Sequence, residues 1–274
     1  MGRPSQLSGT AFVTGASAGL GRAFALMLLA DGVRVWGSSR DASRLAGLAA
    51  GRPGAFHPVA LDLGDAGGAV RAFAGALEAA GGGFDWVVNN AGYGVFGEFA
   101  STDPAVWRAQ VGAMLGTVLS ISHAAFGSMR GRGRGCLVHV SSLAAEFPLP
   151  YMSGYNVAKA GLSALSESLM FESRGTGVRV IDFRPGDYRT DFNRSMHKGS
   201  LSAAAEAAWA ALEAGLAEAP PPERAARDLR RALLSGRGGI VRSGSLFQAR
   251  LAPAMARLAP ASWVRRASAR YFGL

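Results

Sequence analysis

The first thirty residues place a glycine-rich turn between an apolar strand pattern and an apolar helix pattern. The strand covers residues 10–14, the turn reads GASAGLG from Gly15 to Gly21, and the helix continues to Asp31. Glycines let a backbone turn tightly and approach a pyrophosphate, whose charge the positive end of the following helix stabilises. A strand–turn–helix unit of this kind is typical of dinucleotide-binding domains. The unit therefore predicts an α/β protein built around a dinucleotide site.

Strand and helix patterns alternate along most of the remaining chain. Further strands are predicted at 33–37, 55–61, 84–88, 135–140, 178–183 and 239–242, and helices at 65–80, 103–129, 150–174 and 223–235. Such alternation predicts a single parallel sheet with helices on both faces, a doubly wound Rossmann fold. The alanine-rich residues 191–219 would form a helical flap over the carboxyl edge of the sheet. We divide the chain into a Rossmann domain (1–244, flap included) and a tail (245–274).

Composition and charge exclude several classes of protein. The single cysteine, Cys136, excludes a disulfide framework and a four-cysteine zinc site, and no metal site is predicted. The net charge is +10, but the arginines are scattered among alanine and glycine, so we expect no nucleic-acid partner. No stretch of eighteen uncharged apolar residues and no signal-peptide pattern is present, and a cytoplasmic protein is expected.

The basic excess is concentrated near the C-terminal end. From Leu229 onward there are nine arginines and no acidic residue, and apolar residues are interleaved with the arginines of the tail. Pro253 and Pro260 would separate short amphipathic pieces. We expect the tail to pack on the protein body or across a subunit contact. Attachment to a membrane surface is the alternative.

Tyr155 and Lys159 lie in the predicted helix 150–174. Residues four apart fall on one helical face, and a neighbouring ammonium would lower the pKa of a phenol toward the range of an acid/base catalyst. Only Lys159 and Lys198 are lysines among 29 basic residues. A lysine in so arginine-rich a chain suggests a need for a compact ammonium. The alternative is a surface pair without a role.

The end of the second predicted strand bears on cofactor choice. An acidic residue that would hold a ribose 2′-hydroxyl belongs there, but Ser38, Ser39 and Arg40 occupy the place. Arg40, with help from Arg22, would bind a 2′-phosphate through its planar fork, which predicts NADP(H) over NAD(H). Asp41 argues the other way, since a shift of one position would bring a carboxylate to the site.

Asp62 follows the third predicted strand and has two interpretations. Its carboxylate could accept a hydrogen bond from the adenine amine, or it could cap the helix that begins near Asp65. Sequence leaves both open.

Five motifs occur in one order along the chain: TGASAGLG (14–21), NNAG (89–92), Ser142, YNVAK (155–159) and PGDYRT (185–190). Together they resemble the short-chain dehydrogenase/reductase family over residues 8–190. The thirteen residues from Ser142 to Tyr155 match the separation in that family. The resemblance implies a Rossmann fold of about seven parallel strands and hydride transfer between a nicotinamide and a carbonyl or secondary alcohol.

The resemblance also assigns roles by position. Tyr155 would be the proton donor and acceptor at the substrate oxygen, Ser142 would hydrogen-bond that oxygen, and Lys159 would lower the Tyr155 pKa and hold the nicotinamide ribose. Cofactor-binding residues would be Gly15, Ser17, Gly19, Leu20, Gly21, Arg40, Asp62, Asn89, Tyr155, Lys159, Pro185, Gly186 and Thr190. Homodimers or homotetramers through the long helices 103–129 and 151–174 are expected from the family.

One position departs from the family pattern. Ala113 stands where the family usually has an asparagine that helps to hold a water behind the lysine. An alanine side chain cannot hydrogen-bond, so the proton relay would be slower. We therefore keep two hypotheses: an active oxidoreductase, which we favour because Ser142, Tyr155 and Lys159 are all present, and a cofactor-binding sensor or scaffold with weakened catalysis.

The substrate is expected to be an apolar small molecule with a carbonyl or alcohol group. The residues expected to line its pocket are Phe96, Leu143, Phe147, Pro148, Tyr151, Tyr188, Phe192 and Met196, although several of them could instead pack the flap. Arg189 and Arg194 could meet the phosphates of a thioester-linked acyl substrate.

Overall fold

The computed structural model describes residues 5–199 and 201–274, and within them seven parallel strands form one central sheet. Its strands are β1 (Thr10–Val13), β2 (Arg34–Ser39), β3 (Phe56–Ala60), β4 (Trp86–Asn89), β6 (Gly135–Val140), β7 (Val178–Pro185) and β9 (Gly239–Ser243). Two short strands, β5 (Val95–Phe96) and β8 (His197–Lys198), pair separately and in parallel. The predicted single-domain doubly wound α/β fold is confirmed.

Helices cover both faces of the sheet. They are α1 (Gly19–Ala30), α2 (Ala46–Gly51), α3 (Ala66–Ala79), α4 (Pro104–Val111), α5 (Val118–Arg132), α6 (Ser153–Glu172), α7 (Ala203–Ala217), α8 (Pro222–Leu234), α9 (Ala252–Leu258) and α10 (Ala261–Tyr271). Short 3₁₀ turns lie at Ala42–Leu45, Leu143–Ala145 and Asn193–Ser195, and π-helical turns at Gly112–Thr117 and Phe247–Leu251.

The strand order is β3-β2-β1-β4-β6-β7-β9, so β1 pairs with both β2 and β4. The chain therefore builds outward from β1 in one direction and then from β4 in the other. Open α/β sheets bind ligands at this point of reversal, beyond the carboxyl ends of the strands. The turn after β1 lies there.

Alternate side chains of each strand feed two separate cores. On one face Val13 packs in a cluster with Phe24 of α1 and Leu229 of α8. On the other face Phe12 packs with Phe73 of α3, their ring centroids 5.0 Å apart and nearly perpendicular. Both faces are thus buried, which explains why β1 reads as a continuous apolar run.

The helix predicted at 103–129 is one helical stretch, Pro104–Arg132, interrupted by the π turn at Gly112–Thr117. It is 29 residues long and contains an 18-residue window with a mean hydropathy of 1.3, enough by length and composition to cross a bilayer. Ile121 and Phe126 are nevertheless buried in the core between this helix and the sheet. A helix that covers a sheet has the same apolar character, so its hydropathy is explained by packing.

The flap and the tail meet in a third apolar cluster. In the predicted flap, α7 contributes Trp209, which packs edge-on against Phe96 with ring centroids 5.0 Å apart. Phe272 of the tail joins this cluster and is 7% exposed. The division of the chain at residue 244 stays a prediction, but the tail is not an appendage because Phe272 lies in the flap's core.

Pro253 does not separate two pieces of the tail, and that prediction was wrong. It lies in the first turn of α9, directly after the π turn Phe247–Leu251, and the helix runs on through it. Proline fixes φ near the helical value, so it is compatible with the first turn of α9. Pro260, by contrast, precedes α10 as its N-cap and separates it from α9.

Candidate active site

A cleft of about 1430 Å³ runs along the carboxyl ends of the central strands. One end lies over the turn after β1, and the other lies between the flap and the tail. Sites for a single small molecule have volumes of roughly 300–1,000 Å³. The cleft is therefore large enough for a dinucleotide and a second molecule.

Glycines form a cradle at the first end of the cleft. Gly15 (φ +71°) and Gly19 (φ +53°) have left-handed backbones that favour glycine. A Cβ on Gly15 would come within 3.1 Å of Ala91 Cα, and one on Gly21 would come within 2.2 Å of the Gly15 carbonyl oxygen. The absence of side chains at these glycines thus leaves the backbone at the N-terminus of α1 open to a pyrophosphate. These residues therefore fit a dinucleotide.

Thr14 and Asn90 hold the cradle against the end of β4. The Asn90 amide Nδ2 donates to the Thr14 carbonyl at 3.0 Å, and the backbone N–H groups of Asn90 and Ala91 donate to Thr14 Oγ1 at 2.8 and 2.9 Å. Asn90 lines the cleft and was missed as a site residue, although it stands in the quoted NNAG motif.

Two predicted cofactor residues do not line the cleft. Gly21 lies beneath the turn, where its missing side chain permits the approach of Gly15. Asn89 is 3% exposed and donates from Nδ2 to Ser122 Oγ at 3.0 Å. Both residues contact other parts of the protein rather than the space of the cleft. The other predicted cofactor residues line the cleft: Gly15, Ser17, Gly19, Leu20, Arg40, Asp62, Tyr155, Lys159, Pro185, Gly186 and Thr190.

The end of β2 presents hydroxyl groups and guanidinium groups to the cleft. Ser38, Ser39, Arg40 and Arg44 line it, whereas Arg22 and Asp41 do not. The Asp41 carboxylate accepts from the Ser43 backbone N–H at 2.9 Å and caps the 3₁₀ turn. Arg44 was missed because the 3₁₀ turn that brings it to the cleft gives no clear signal in the sequence.

Asp62 and Asp65 have different roles. Asp65 caps α3 by accepting from the Gly68 N–H at 2.9 Å. Asp62 lines the cleft and accepts from the Gly64 N–H at 2.9 Å. The helix-cap interpretation of Asp62 is therefore wrong, and Asp62 lines the cleft after β3, on the far side of β2 from the glycine cradle.

Helix α6 brings Tyr155 and Lys159 to the middle of the cleft, beside Ser142 at the end of β6. Lys159 is 5% exposed, its Nζ donates to the Val140 carbonyl at 2.7 Å, and it lies 5.6 Å from the centre of the Tyr155 ring. Ser142 Oγ accepts from the Ala144 N–H at 3.0 Å, which orients its hydroxyl. The three predicted catalytic residues are thus together.

Burial dominates the titration of this pair. It raises the pKa of Tyr155 to about 12, against the opposing effect of the Ser142 hydroxyl, and Asp187 raises it further. Burial also lowers the pKa of Lys159 to about 8, opposed by Asp182. The prediction that the Tyr155 pKa is lowered is therefore wrong, because burial of the phenolate raises it. Tyr155 is held as a neutral phenol.

A buried ionic network supports the site from behind. Asp182 is fully buried, and its carboxylate accepts from Arg184 Nε and Ser163 Oγ, each at 2.7 Å, and from Ser141 Oγ. Arg184 also donates to Glu146 at 2.7 Å. The network joins Ser141, the neighbour of Ser142 after β6, to β7 and α6. Asp182 in the predicted strand 178–183 and Arg184 directly after it were the available signal.

The π turn Gly112–Thr117 places Ala113 on the cleft wall. Thr117 Oγ1 donates to the Gly112 carbonyl at 3.3 Å and to the Leu63 carbonyl at 2.8 Å, which closes the widened turn. Such turns inside α-helices occur frequently at functional sites. The methyl group of Ala113 offers no hydrogen bond to the region behind Lys159.

The substrate end of the cleft is lined by the flap and by the tail. Of the predicted pocket residues, Phe147, Tyr188, Phe192 and Met196 line it, whereas Phe96, Leu143, Pro148 and Tyr151 do not. Phe96 and Tyr151 instead pack on each other. The tail, which sequence reasoning left out of the site, adds Phe247, Gln248, Met255, Trp263, Val264 and Tyr271.

Arg189 and Arg194 do not line the cleft, which removes the support for a phosphate-bearing substrate. Arg194 pairs at the surface with Asp191, at 3.5 Å. Within the described residues no group of three or more His, Cys, Asp or Glu is placed to hold a metal ion.

Comparisons with known proteins agree with this geometry. The family described as short chain dehydrogenase matches residues 9–200. The chain is 35% identical over 192 residues to serine 3-dehydrogenase of Rhizobium radiobacter, covering 68% of this chain and 74% of the relative.

Solved structures give the same result. A short-chain dehydrogenase from Streptomyces avermitilis superposes with a TM-score of 0.83 at 26% identity, covering 96% of this chain and 98% of its own. A metagenomic short-chain oxidoreductase in complex with NADP gives a TM-score of 0.68 at 28% identity, covering 88% of this chain and 99% of its own. Because the family match runs from the phosphate turn past the PGDYRT motif, the chain belongs to the short-chain dehydrogenase/reductase family of NAD(P)-dependent oxidoreductases.

Proposed function

We propose that the chain is an NADP(H)-dependent reductase of an apolar carbonyl compound, with Tyr155 as the acid/base. The observation that carries the proposal is the neutral Tyr155 phenol beside Ser142, in the wall of a cleft whose other end is a glycine cradle. A phenol that keeps its proton at neutral pH is in the protonation state that carbonyl reduction requires of the proton donor.

Each catalytic group has a separate task. The bound nicotinamide supplies the hydride. Tyr155 donates its proton to the substrate oxygen, and the Ser142 hydroxyl hydrogen-bonds that oxygen as negative charge develops there. Lys159, held by the Val140 carbonyl, places a positive charge beneath the Tyr155 ring, which stabilises the phenolate left after proton transfer.

Arg40 and Arg44 support the preference for NADP(H). Both line the cleft beyond the end of β2, and the nearby carboxylate of Asp41 is occupied in capping a turn. A pair of guanidinium groups matches the geometry and charge of a 2′-phosphate. Replacing Arg40 with alanine should weaken NADPH binding roughly 10- to 100-fold and leave NADH binding nearly unchanged.

The matched control for this change is Arg22→Ala. Arg22 is exposed and does not line the cleft. Titration of both variants with NADPH and NADH measures the two affinities directly. Tighter binding of NADH than of NADPH by the unchanged protein would refute the preference.

The walls of the substrate end support an apolar substrate. Phe147, Met152, Phe192, Met196 and Trp263 all line it. One relative is named serine 3-dehydrogenase, and serine carries a carboxylate. Among the described residues that line this cleft, Lys159 is the cation nearest the substrate end, and its ammonium is buried against a backbone carbonyl. We therefore do not extend serine to this chain.

Turnover tests the proposal. The protein is supplied with NADPH or NADH and a panel of ketones, aldehydes and quinones, and cofactor oxidation is followed. Tyr155→Phe should lower kcat by roughly 10²- to 10⁴-fold while cofactor binding persists. The control is Tyr151→Phe, which removes the same atom from a residue that does not line the cleft.

Ala113 supports a second candidate, a cofactor-binding protein with weakened catalysis. Tight dinucleotide binding without turnover on any member of the panel would favour this candidate over the reductase. Turnover that Tyr155→Phe abolishes would refute it.

A further inference from the structure

The substrate end of the cleft is acidic, although the chain as a whole carries a net charge of +10. The Asp187 carboxylate lines it, whereas Asp191, which also lines it, is exposed and paired with Arg194. Arg40 and Arg44 also line the cleft, at the end that takes the adenine half of the cofactor. Lys159 is bonded to a carbonyl behind Tyr155. A negative pocket in a basic protein favours a positive or hydrogen-donating ligand.

Asp187 is the more enclosed of the two carboxylates. It is half-buried, directly after the Pro185-Gly186 turn that ends β7. Its Oδ2 accepts from Gln248 Nε2 at 2.6 Å, and its backbone N–H donates to Gln248 Oε1 at 3.4 Å. The Gln248 side-chain amide thus hydrogen-bonds both to one carboxylate oxygen of Asp187 and to the Asp187 backbone N–H. Among the described residues no hydrogen-bond donor is assigned to Oδ1.

The close fit around Gln248 fixes this arrangement. A Cβ on Gly186 would lie 2.7 Å from Gln248 Oε1, and one on Gly244 would lie 3.2 Å from the same atom. The two glycines leave the space that the amide fills. The tail therefore sets the orientation of the Asp187 carboxylate within the cleft.

Asp187 is also close enough to influence the reacting group. Its charge acts on the phenol of Tyr155 and on that of Tyr271, which lines the tail side of the cleft. A substrate whose carbonyl oxygen meets Tyr155 would thus have a neighbouring substituent beside Asp187. Burial raises the pKa of Asp187, while the hydrogen bond from Gln248 lowers it.

We propose that Asp187 is a specificity-determining residue, whose free carboxylate oxygen binds an ammonium group on an otherwise apolar carbonyl substrate. The inference rests on the proposed function, since it names the substrate class of the same cleft. The Asp187 carboxylate accepts a hydrogen bond from the ammonium group, and Gln248 holds that carboxylate in place. The surrounding aromatic residues contact the apolar part of the amine.

Binding of simple amphiphiles tests the inference without turnover. Isothermal calorimetry with the full chain compares octylammonium, 1-octanol and octanoate, which share one apolar chain. Octylammonium should bind at least about tenfold more tightly than octanoate. Asp187→Asn should weaken octylammonium roughly tenfold or more and affect 1-octanol much less, because the amide oxygen still accepts a hydrogen bond.

Asp191→Asn is the matched control. It removes the same charge from an exposed carboxylate already paired with Arg194, and its effect should stay within about twofold. Equal losses in the two variants would attribute the preference to net charge and overturn the inference, as would octanoate binding as tightly as octylammonium. If Asp187→Asn does not fold, the comparison of the three ligands on the unchanged protein still decides.

Turnover separates the inference from the function on which it rests. With matched ketones that differ by one amine, Asp187→Asn should raise KM for the amino ketone and keep kcat for the plain ketone. Preferential octylammonium binding without any turnover would refute the reductase and support the amine site. Turnover with equal kcat/KM for both ketones would support the reductase and overturn the amine site.

Discussion

At the residue scale, the chemistry depends on groups that burial holds in one protonation state. Tyr155 is a neutral phenol for this reason, and His139 is a neutral imidazole. His139 is fully buried between Ser122 Oγ and Ser166 Oγ, each 2.8 Å from one ring nitrogen. Asn89 donates to the same Ser122, so a chain of hydrogen bonds links β4, α5, β6 and α6.

His139 makes stability depend on pH. Burial lowers its pKa from 6.5 to about 4. Between these two pKa values His139 is protonated in the unfolded chain but not in the folded chain. The stability that the folded state has above pH 6.5 is therefore lost as the pH falls toward 4. Between pH 7 and pH 5 the loss should be about 2 kcal/mol. Urea unfolding of the protein and of His139→Gln at the two pH values measures it, and an equal pH dependence in both proteins would contradict the assignment.

At the element scale, β7 and α6 are joined by the ionic network around Asp182. Removing Arg184 would leave the buried Asp182 carboxylate without its cation, although Ser141 and Ser163 would still donate to it. Removing one partner of a buried pair costs about 3–5 kcal/mol, because the remaining charge is uncompensated. The two strands and the helix that carry the catalytic residues should therefore be destabilised together.

We expect Arg184→Met to lower the free energy of unfolding by about 3–5 kcal/mol. The control is Arg231→Met, which breaks a surface pair of 3.4 Å with Asp228 and should cost less than about 1 kcal/mol. Chemical denaturation measures both changes. A similar cost for the two variants would show that the network is not a source of stability.

The π turn that carries Ala113 leads to a prediction about rate. Ala113→Asn would place an amide on the cleft wall behind Lys159, where it could hold a water molecule for proton transfer. We expect kcat to rise by less than roughly tenfold, with KM for the cofactor little changed. Ala113→Leu adds a similar volume without hydrogen bonds. If the Leu and Asn variants are equally fast, the alanine does not limit proton transfer.

The elements themselves could be predicted from sequence because their signals are local. The alternation of strands and helices gave the sheet, and β6 has the same bounds, Gly135–Val140, as the predicted strand. The π turn escaped prediction because it leaves the apolar pattern of a helix intact. The hydrogen bond from Gln248 to Asp187 also escaped prediction. It joins residues that are far apart in the chain and meet only through tertiary packing.

At the scale of the whole molecule, cofactor and substrate ends are built from different parts of the chain. Residues 14–62 supply most of the cofactor cradle, whereas the substrate end needs the flap and the tail as well. Phe272 anchors the tail in the flap's core, and the Tyr271 hydroxyl lies against Gly215 of α7. The tail is thus a wall of the site.

Loosening the tail should affect the two ends unequally. Phe272→Ala removes a buried ring, at a local cost of about 3 kcal/mol, and should raise KM for an apolar ketone while leaving NADPH affinity nearly unchanged. Leu258→Ala changes a side chain that is 91% exposed and serves as the control. Equal losses of NADPH and ketone binding would contradict the division of the cleft.

Trp263 of the tail lines the cleft and can report its occupancy by fluorescence. It is 65% exposed, whereas Trp36, Trp107 and Trp209 are each less than 10% exposed and Trp86 is partly buried. Its fluorescence should therefore be the most red-shifted and the most readily quenched by acrylamide. A ligand that fills the substrate end would shield the indole, shift the emission to shorter wavelength and slow the quenching, so that occupancy becomes visible in a cuvette before any product forms.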